Sequence, residues 1–231
     1  MEEKYRLLSI VLRELQSAGV LDALILAGSW CQYYYRILFD MAPEIPLIRT
    51  TDIDFLVPNP PKIVRKANVG KLLNNLGFDN DFDYHTGLVK YVHPDLEIQF
   101  LTPALGKNKS TPYEINELNI NAEGLRYLML LQDFIFKMKH EGITIWLPEP
   151  EAFVLQKILT SQKRKNQEKS DKDIFAAQNI GELCLRDKNR RIRLKFIFDD
   201  LPNKWQRKIL NVLKNASPDM YLCLKNIQNQ A

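Results

Sequence analysis

Two aspartates stand one residue apart in Asp52-Ile53-Asp54-Phe55. In an extended strand, alternate side chains share a face, so both carboxylates point one way and Ile53 and Phe55 the other. Carboxylates about 7 Å apart at Cα repel unless a proton or a cation lies between them, and hard oxygen donors suit Mg²⁺ or Mn²⁺. By itself, an Asp-x-Asp run serves a structural role as readily. A second run, Leu26-Ala27-Gly28-Ser29-Trp30, brings a buried strand to a glycine and a serine at the start of a helix. Glycine lets a phosphate approach the backbone, the first helical N–H groups and the dipole favour an anion, and the Ser29 hydroxyl can donate a further bond. A tight turn with an N-cap serine accounts for the same residues. The third run, Leu96-Glu97-Ile98-Gln99-Phe100, alternates apolar with polar. Glu97 gains meaning only where its face joins that of Asp52 and Asp54.

These runs need elements to hold them. Apolar spacing predicts a helix over 3–18, a buried strand over 23–27 and a helix over 30–39 ended by Pro43 and Pro46. A strand over 51–57 stops at Pro58, Pro60 and Pro61, and a helix over 62–76 closes at Gly77. Strands over 87–92 and 96–101 flank the turn-like His93-Pro94-Asp95 and read as a hairpin. Between 114 and 147 the periodicity is mixed, with a strand over 143–147. Helices are predicted over 151–164, 169–186, 190–198 and 203–215. The expectation is an α/β (α+β) chain: a catalytic domain over 1–148, a mixed sheet flanked by helices, followed by a helical C-terminal domain over 149–231.

A chain of 231 residues with 45% hydrophobic and 26% charged content buries a substantial core and leaves little room for extended disorder. Its first residues, with acids at Glu2 and Glu3 and helical apolar spacing, are unlike a signal peptide, and no run of about 18 apolar residues spans a membrane. Cys31, Cys184 and Cys223 lie far apart without metal-ligand spacing, which fits a reducing cytoplasm. Net charge is +4, mildly basic, yet Arg186, Lys188, Arg190, Arg191, Arg193 and Lys195 crowd together with only Asp187 among them. Such a stretch is either a solvated helix face or a surface for a negatively charged acceptor such as structured RNA.

In order and context, Gly28-Ser29 after a first strand, Asp52 and Asp54 on a second and Glu97 on a later one resemble the polymerase-beta-like nucleotidyltransferases. The segments Gly28-Ser29-Trp30, Thr51-Asp52-Ile53-Asp54-Phe55-Leu56-Val57 and Phe100-Leu101-Thr102-Pro103 look like a bacterial branch related to the minimal and abortive-infection types. In that branch an Asp immediately before Phe-Leu-Thr-Pro is the more familiar third acid, where this chain has Gln99 with Glu97 two positions earlier. The resemblance covers roughly residues 20–180. It implies a nucleotidyltransferase fold and Mg²⁺ or Mn²⁺ at Asp52, Asp54 and Glu97. It also implies a nucleoside triphosphate such as ATP held by Gly28, Ser29, Lys157, Arg164 and Lys172, with Asp173 beside those bases. Nucleoside monophosphate would pass to an acceptor hydroxyl on RNA, a protein or a small molecule, and pyrophosphate would leave. Two alternatives stay open: a nucleotide-binding or toxin–antitoxin interaction module that has lost catalysis, and a metal-dependent nuclease to which Glu97-Ile98-Gln99 is loosely similar.

Overall fold

The computed structural model describes residues 2–46, 50–104, 106 and 111–225. The chain divides into two compact units, one of residues 1–32 with 47–148 and one of residues 33–46 with 149–231. Residues 33–46, which the sequence pattern groups with the catalytic half, therefore pack with the helices instead.

The first unit is built on a mixed sheet. Its elements are α1 (Glu2–Ser17), β1 (Ile25–Ala27), the start of α2 (Cys31–Leu38), β2 (Asp52–Leu56), α3 (Val69–Asn75), β3 (Asp79–Phe82), β4 (Val89–Val92), β5 (Glu97–Pro103), β6 (Tyr113–Ile115), β7 (Ile120–Leu125), α4 (Leu128–Asp133), β8 (Ile135–His140) and β9 (Ile143–Pro148). The order across the sheet is β3-β4-β5-β2-β1-β9-β8, with β7 also paired to β5 and β6 to β7. Strand β1 runs antiparallel to β2, and β2 parallel to β5. One edge of β5 serves two partners in succession: β4 pairs with Glu97 and Ile98, and β7 with Leu101 to Pro103.

The two faces of this sheet differ. Ile53, Phe55, Ile98 and Phe100 are fully buried, and Tyr91 stands edge-on to Phe100. Helix α3 covers this side, for its Gly70 approaches the Tyr91 hydroxyl so closely that a Cβ there would lie 2.8 Å from it. On the other side Ile25, Ala27, Leu56 and Leu101 cluster with Leu128 and Leu131 of α4. Residues 62–68, expected as helix, are irregular. Asn68 accepts from the Lys71 amide at 2.8 Å and so starts α3 late, while Ala67 and Val69 donate to the carbonyls of Glu117 and Leu118. Strand β3 carries no hydrophobic alternation because all its residues are exposed at the sheet edge. That is why the sequence pattern passes over it.

The second unit holds α5 (Pro150–Ser161), α6 (Gln167–Arg186), α7 (Lys188–Asp200), α8 (Asn203–Ala216) and α9 (Pro218–Lys225), the last not foreseen. Helix α5 is buried along nearly its whole length, and Tyr35 packs edge-on against its Phe153. Glu151 is 2% exposed and accepts from Arg190 Nη1 at 3.1 Å. Burial raises its carboxyl above the ordinary range, with a backbone hydrogen bond and Arg190 pulling the other way. A raised acid holds its proton more tightly folded than unfolded, so its stabilising share is complete below the ordinary glutamate pKa and is lost as pH rises through the raised value. Glu151→Gln should accordingly flatten the fall of melting temperature with rising pH across the mildly acidic range, a change that thermal denaturation at stepped pH reads directly. Among the described residues no helix is long and apolar enough to cross a membrane.

Candidate active site

The register of β2 against β5 decides where the acids go. Asp52 is paired with Glu97, Asp54 with Gln99, and Leu56 with Leu101. Paired residues on neighbouring strands point the same way, so Asp52, Asp54, Glu97 and Gln99 share the face that carries Leu56 and Leu101. Over three rungs that face passes from two acids, to an acid and an amide, to two leucines. Helix α4 closes the leucine end. At the other end Asp52 is exposed and Asp54, Glu97 and Gln99 are half-buried.

Gly28 enters from β1, whose Ala27 is paired with Asp54. Its φ is +65°, and a Cβ on it would lie 1.9 Å from Asp54 Oδ2, so the carboxylate occupies the space that the missing side chain leaves. Ala27 is extended, and residues Gly28–Trp30 form a 3-10 turn that leads into α2. Ser29 is half-buried there, at a turn whose first amides lack intrahelical partners.

Three further side chains share this face, and two of them, Lys90 and Glu123, escaped the sequence pattern. Gln99 Nε2 donates to Asp54 Oδ1 at 2.5 Å. Lys90 of β4 donates from Nζ to Glu97 Oε1 at 2.5 Å, and this bond raises its pKa against the opposing effect of burial, with Asp52 and Asp81 adding to the rise. Glu123 of β7 is paired with Leu101 and therefore faces the same side. Glu123 is exposed on the whole, yet partial burial of its carboxyl raises it, Lys90 opposing and Asp54 adding to the shift. The alternation in 87–92 would have marked Lys90 had its pairing been known, whereas Glu123 lies where the periodicity is mixed.

Hard oxygens at Asp52 and Asp54 fit a divalent ion of the Mg²⁺ kind, which is commonly held by one or two carboxylates together with substrate phosphates. Glu97 does not extend that set as the residues stand, because Lys90 already engages its carboxylate. Among the described residues no group of three or more His, Cys, Asp or Glu side chains is arranged to hold a metal ion.

A family model described as nucleotidyltransferase matches residues 6–195. The chain belongs to the nucleotidyltransferase family. Among curated proteins no sequence matches this nucleotidyltransferase. Among solved structures it is similar to an antigenic nucleotidyltransferase-like protein from Paracoccidioides brasiliensis, with 16% identity, a TM-score of 0.53 and coverage of 97% of this chain and 93% of that one. That likeness establishes the fold. A second match, the antibiotic-resistance factor ANT(2'')-Ia, has 13% identity, a TM-score of 0.43 and coverage of 83% of this chain and 94% of that one.

In the second unit of the nucleotidyltransferase, Lys157 and Arg164 meet at one carboxylate. Lys157 Nζ lies 2.6 Å from Asp173 Oδ1, and Arg164 Nε lies 2.7 Å from Asp173 Oδ2. Lys172 is not part of this group; its exposed ammonium pairs with Glu168 one turn earlier. Lys157 and Asp173 are both buried, so removing one charge strands the other. Asp173→Asn should destabilise the second unit by about 3 kcal/mol, the lower end of the usual range because Asn still accepts a bond. Chemical denaturation of the variant checks this, and Asp173→Glu should recover part of the loss.

The basic stretch is also less free than its sequence suggests. Arg186 pairs with Glu44, Arg190 with Glu151, Arg193 with Glu149 in a two-bond fork, and Lys195 with Asp199. Lys188 and Arg191 have no such ion pair among the described residues. The acids missing from within the stretch are thus supplied from elsewhere in the chain, which removes most of the argument for a phosphate-binding helix face.

Proposed function

We propose that the protein is a Mg²⁺- or Mn²⁺-dependent nucleotidyltransferase that moves a nucleoside monophosphate from a nucleoside triphosphate such as ATP to a hydroxyl of RNA, a protein or a small molecule. Its Gly28-Ser29-Trp30 and Asp52-Ile53-Asp54 runs favour the bacterial branch related to the minimal and abortive-infection types. The observation that carries this reading is the shared open end of one sheet face, where Asp52, Asp54 and Glu97 stand beside the glycine that abuts Asp54. In this reading Asp52 and Asp54 hold the ion, which when bound offsets phosphate charge and makes the acceptor hydroxyl easier to deprotonate. The Gly28 backbone and the Ser29 hydroxyl bind the β- and γ-phosphate oxygens. Glu97, engaged by Lys90 on the same face, is the nearest base for the acceptor's proton. The acceptor hydroxyl gives up its proton to Glu97, its oxygen forms a bond to the α-phosphorus, the bond from that phosphorus to the bridging oxygen breaks, and pyrophosphate leaves in line. Lys157 and Arg164, both bonded to Asp173, and Lys172, which is paired with Glu168 instead, are the bases that the resemblance assigns to phosphate charge.

The test is incubation with each α-labelled nucleoside triphosphate, Mg²⁺ or Mn²⁺ and a whole bacterial extract, followed by fractionation of the label. Metal-dependent labelling of one fraction is expected. Cutting of polynucleotide without added nucleotide would favour the nuclease alternative instead. A second reading, a nucleotide-binding or toxin–antitoxin module without catalysis, draws on Lys90 engaging Glu97 and on the neutral Gln99 opposite Asp54. Calorimetry showing nucleotide and Mg²⁺ binding, with no fraction ever labelled, would favour it.

A further inference from the structure

Lys90 holds a peculiar place on the acid face. Its ammonium is bonded to Glu97 at 2.5 Å and lies within electrostatic reach of Asp52, Asp81 and Glu123. It comes from β4, whose Val92 is paired with Glu97, so Lys90 reaches the face from the strand on the side of β5 opposite β2. The residue facing Asp54 across β5 is the neutral Gln99, whose amide is spent on the Asp54 carboxylate. The β2 side of the face therefore offers two carboxylates to a cation, and the β5 side already contains one.

We infer that Lys90 is a built-in counter-cation: the face takes up one divalent ion, at Asp52 and Asp54, and the Lys90 ammonium supplies at Glu97 the positive charge that a second ion would bring. This rests on the assignment of Asp52 and Asp54 as the ion's ligands. Hard divalent ions need several oxygen donors, and the β5 side has only Glu97 and a carboxamide oxygen to give. A second ion would also have to break the bond between Lys90 and Glu97 and settle beside a like charge. The lysine interacts with Asp52 and Glu123 as well as with Glu97, and so lowers the repulsion among the acids while the face holds no ion.

Titration of the full-length protein with Mn²⁺ alone, followed by electron paramagnetic resonance of the free ion and by calorimetry, tests this without recourse to activity. Wild type is expected to bind one Mn²⁺ per chain at the face, and Asp54→Asn to lose it. Lys90→Met should admit a second ion, or tighten uptake at least tenfold, and Lys90→Met combined with Glu97→Gln should return to one. Lys90→Arg, which keeps the charge, should behave as wild type. Should Lys90→Met fail to fold, Gln99→Asp in the wild-type background places a third acid opposite Asp54 and should tighten the single ion at least tenfold. Two ions bound by wild type with Lys90 in place would overturn the inference alone. No Mn²⁺ bound by wild type would overturn the ligand assignment and the inference with it. Identical stoichiometry and affinity in wild type and a folded Lys90→Met, or an unchanged affinity in Gln99→Asp, would overturn the inference.

Discussion

Replacing Asp54 by Asn is expected to reduce nucleotide transfer by about a thousandfold or more while leaving the melting temperature unchanged or slightly raised. The two halves of this result have separate causes. An ion held in part by Asp54 is worth several kcal/mol of charge stabilisation in the transition state, and each 1.36 kcal/mol is a factor of ten in rate. Asn removes the charge that holds the ion but keeps the shape. Its Oδ1 can still accept from Gln99 Nε2, and its amide nitrogen fits the space over Gly28 that Asp54 Oδ2 fills. In the ion-free protein Asp54 is one of several acids on the same end of the sheet face, and its charge adds to the raised carboxyl of Glu123. Taking that charge away relieves repulsion without opening a cavity. Label incorporation and thermal denaturation, measured on the same preparation, separate the possibilities. An unfolded variant would make Asp54 a structural acid, and a folded variant with wild-type transfer would remove it from the chemistry.

The sequence carried the acid face further than it carried the surroundings of that face. Alternation over two residues suffices to say that Asp52 and Asp54 point together and that Glu97 points away from Ile98, because strand period is a local property. Whether Glu97 joins them is a matter of register between strands 45 positions apart, and only the pairing of Asp52 with Glu97 answers it. Lys90 and Glu123 were illegible for the same reason: each reaches the site through one more long-range pairing, β4 to β5 and β7 to β5. The helix expected over 62–76 failed in its first half because Asn68 caps the chain from within, a side-chain bond that competes with apolar periodicity. The basic stretch misled for a related reason. Local sequence shows only Asp187 among its cations, whereas Arg186 finds its acid at Glu44, 142 positions away.

Gly28→Ala should cost the first unit both stability and activity, and the pair Gly28–Asp54 should account for much of the loss. Two penalties act at once. A left-handed φ of +65° costs an alanine about 1–2 kcal/mol that glycine does not bear. The new methyl would also start 1.9 Å from Asp54 Oδ2 and 2.9 Å from its Cγ, so the carboxylate must move, and forced repacking of this kind costs about 1–3 kcal/mol. For a chain of this size the two together lower the melting temperature by roughly 5–15 °C. Below that temperature the folded variant keeps a displaced Asp54, and a misplacement of about 1 Å at a reacting centre costs about a hundredfold in rate. Combining Gly28→Ala with Asp54→Ala removes the atoms that collide but not the backbone strain. The double variant should therefore be more stable than the sum of the single changes implies, by about 0.5–3 kcal/mol, and still inactive. Recovery of stability in the double variant would show that the collision with the Asp54 carboxylate causes that share of the loss. Strict additivity, or a Gly28→Ala protein with the wild-type melting temperature and rate, would show that Gly28 is a turn glycine and that Asp54 does not depend on it.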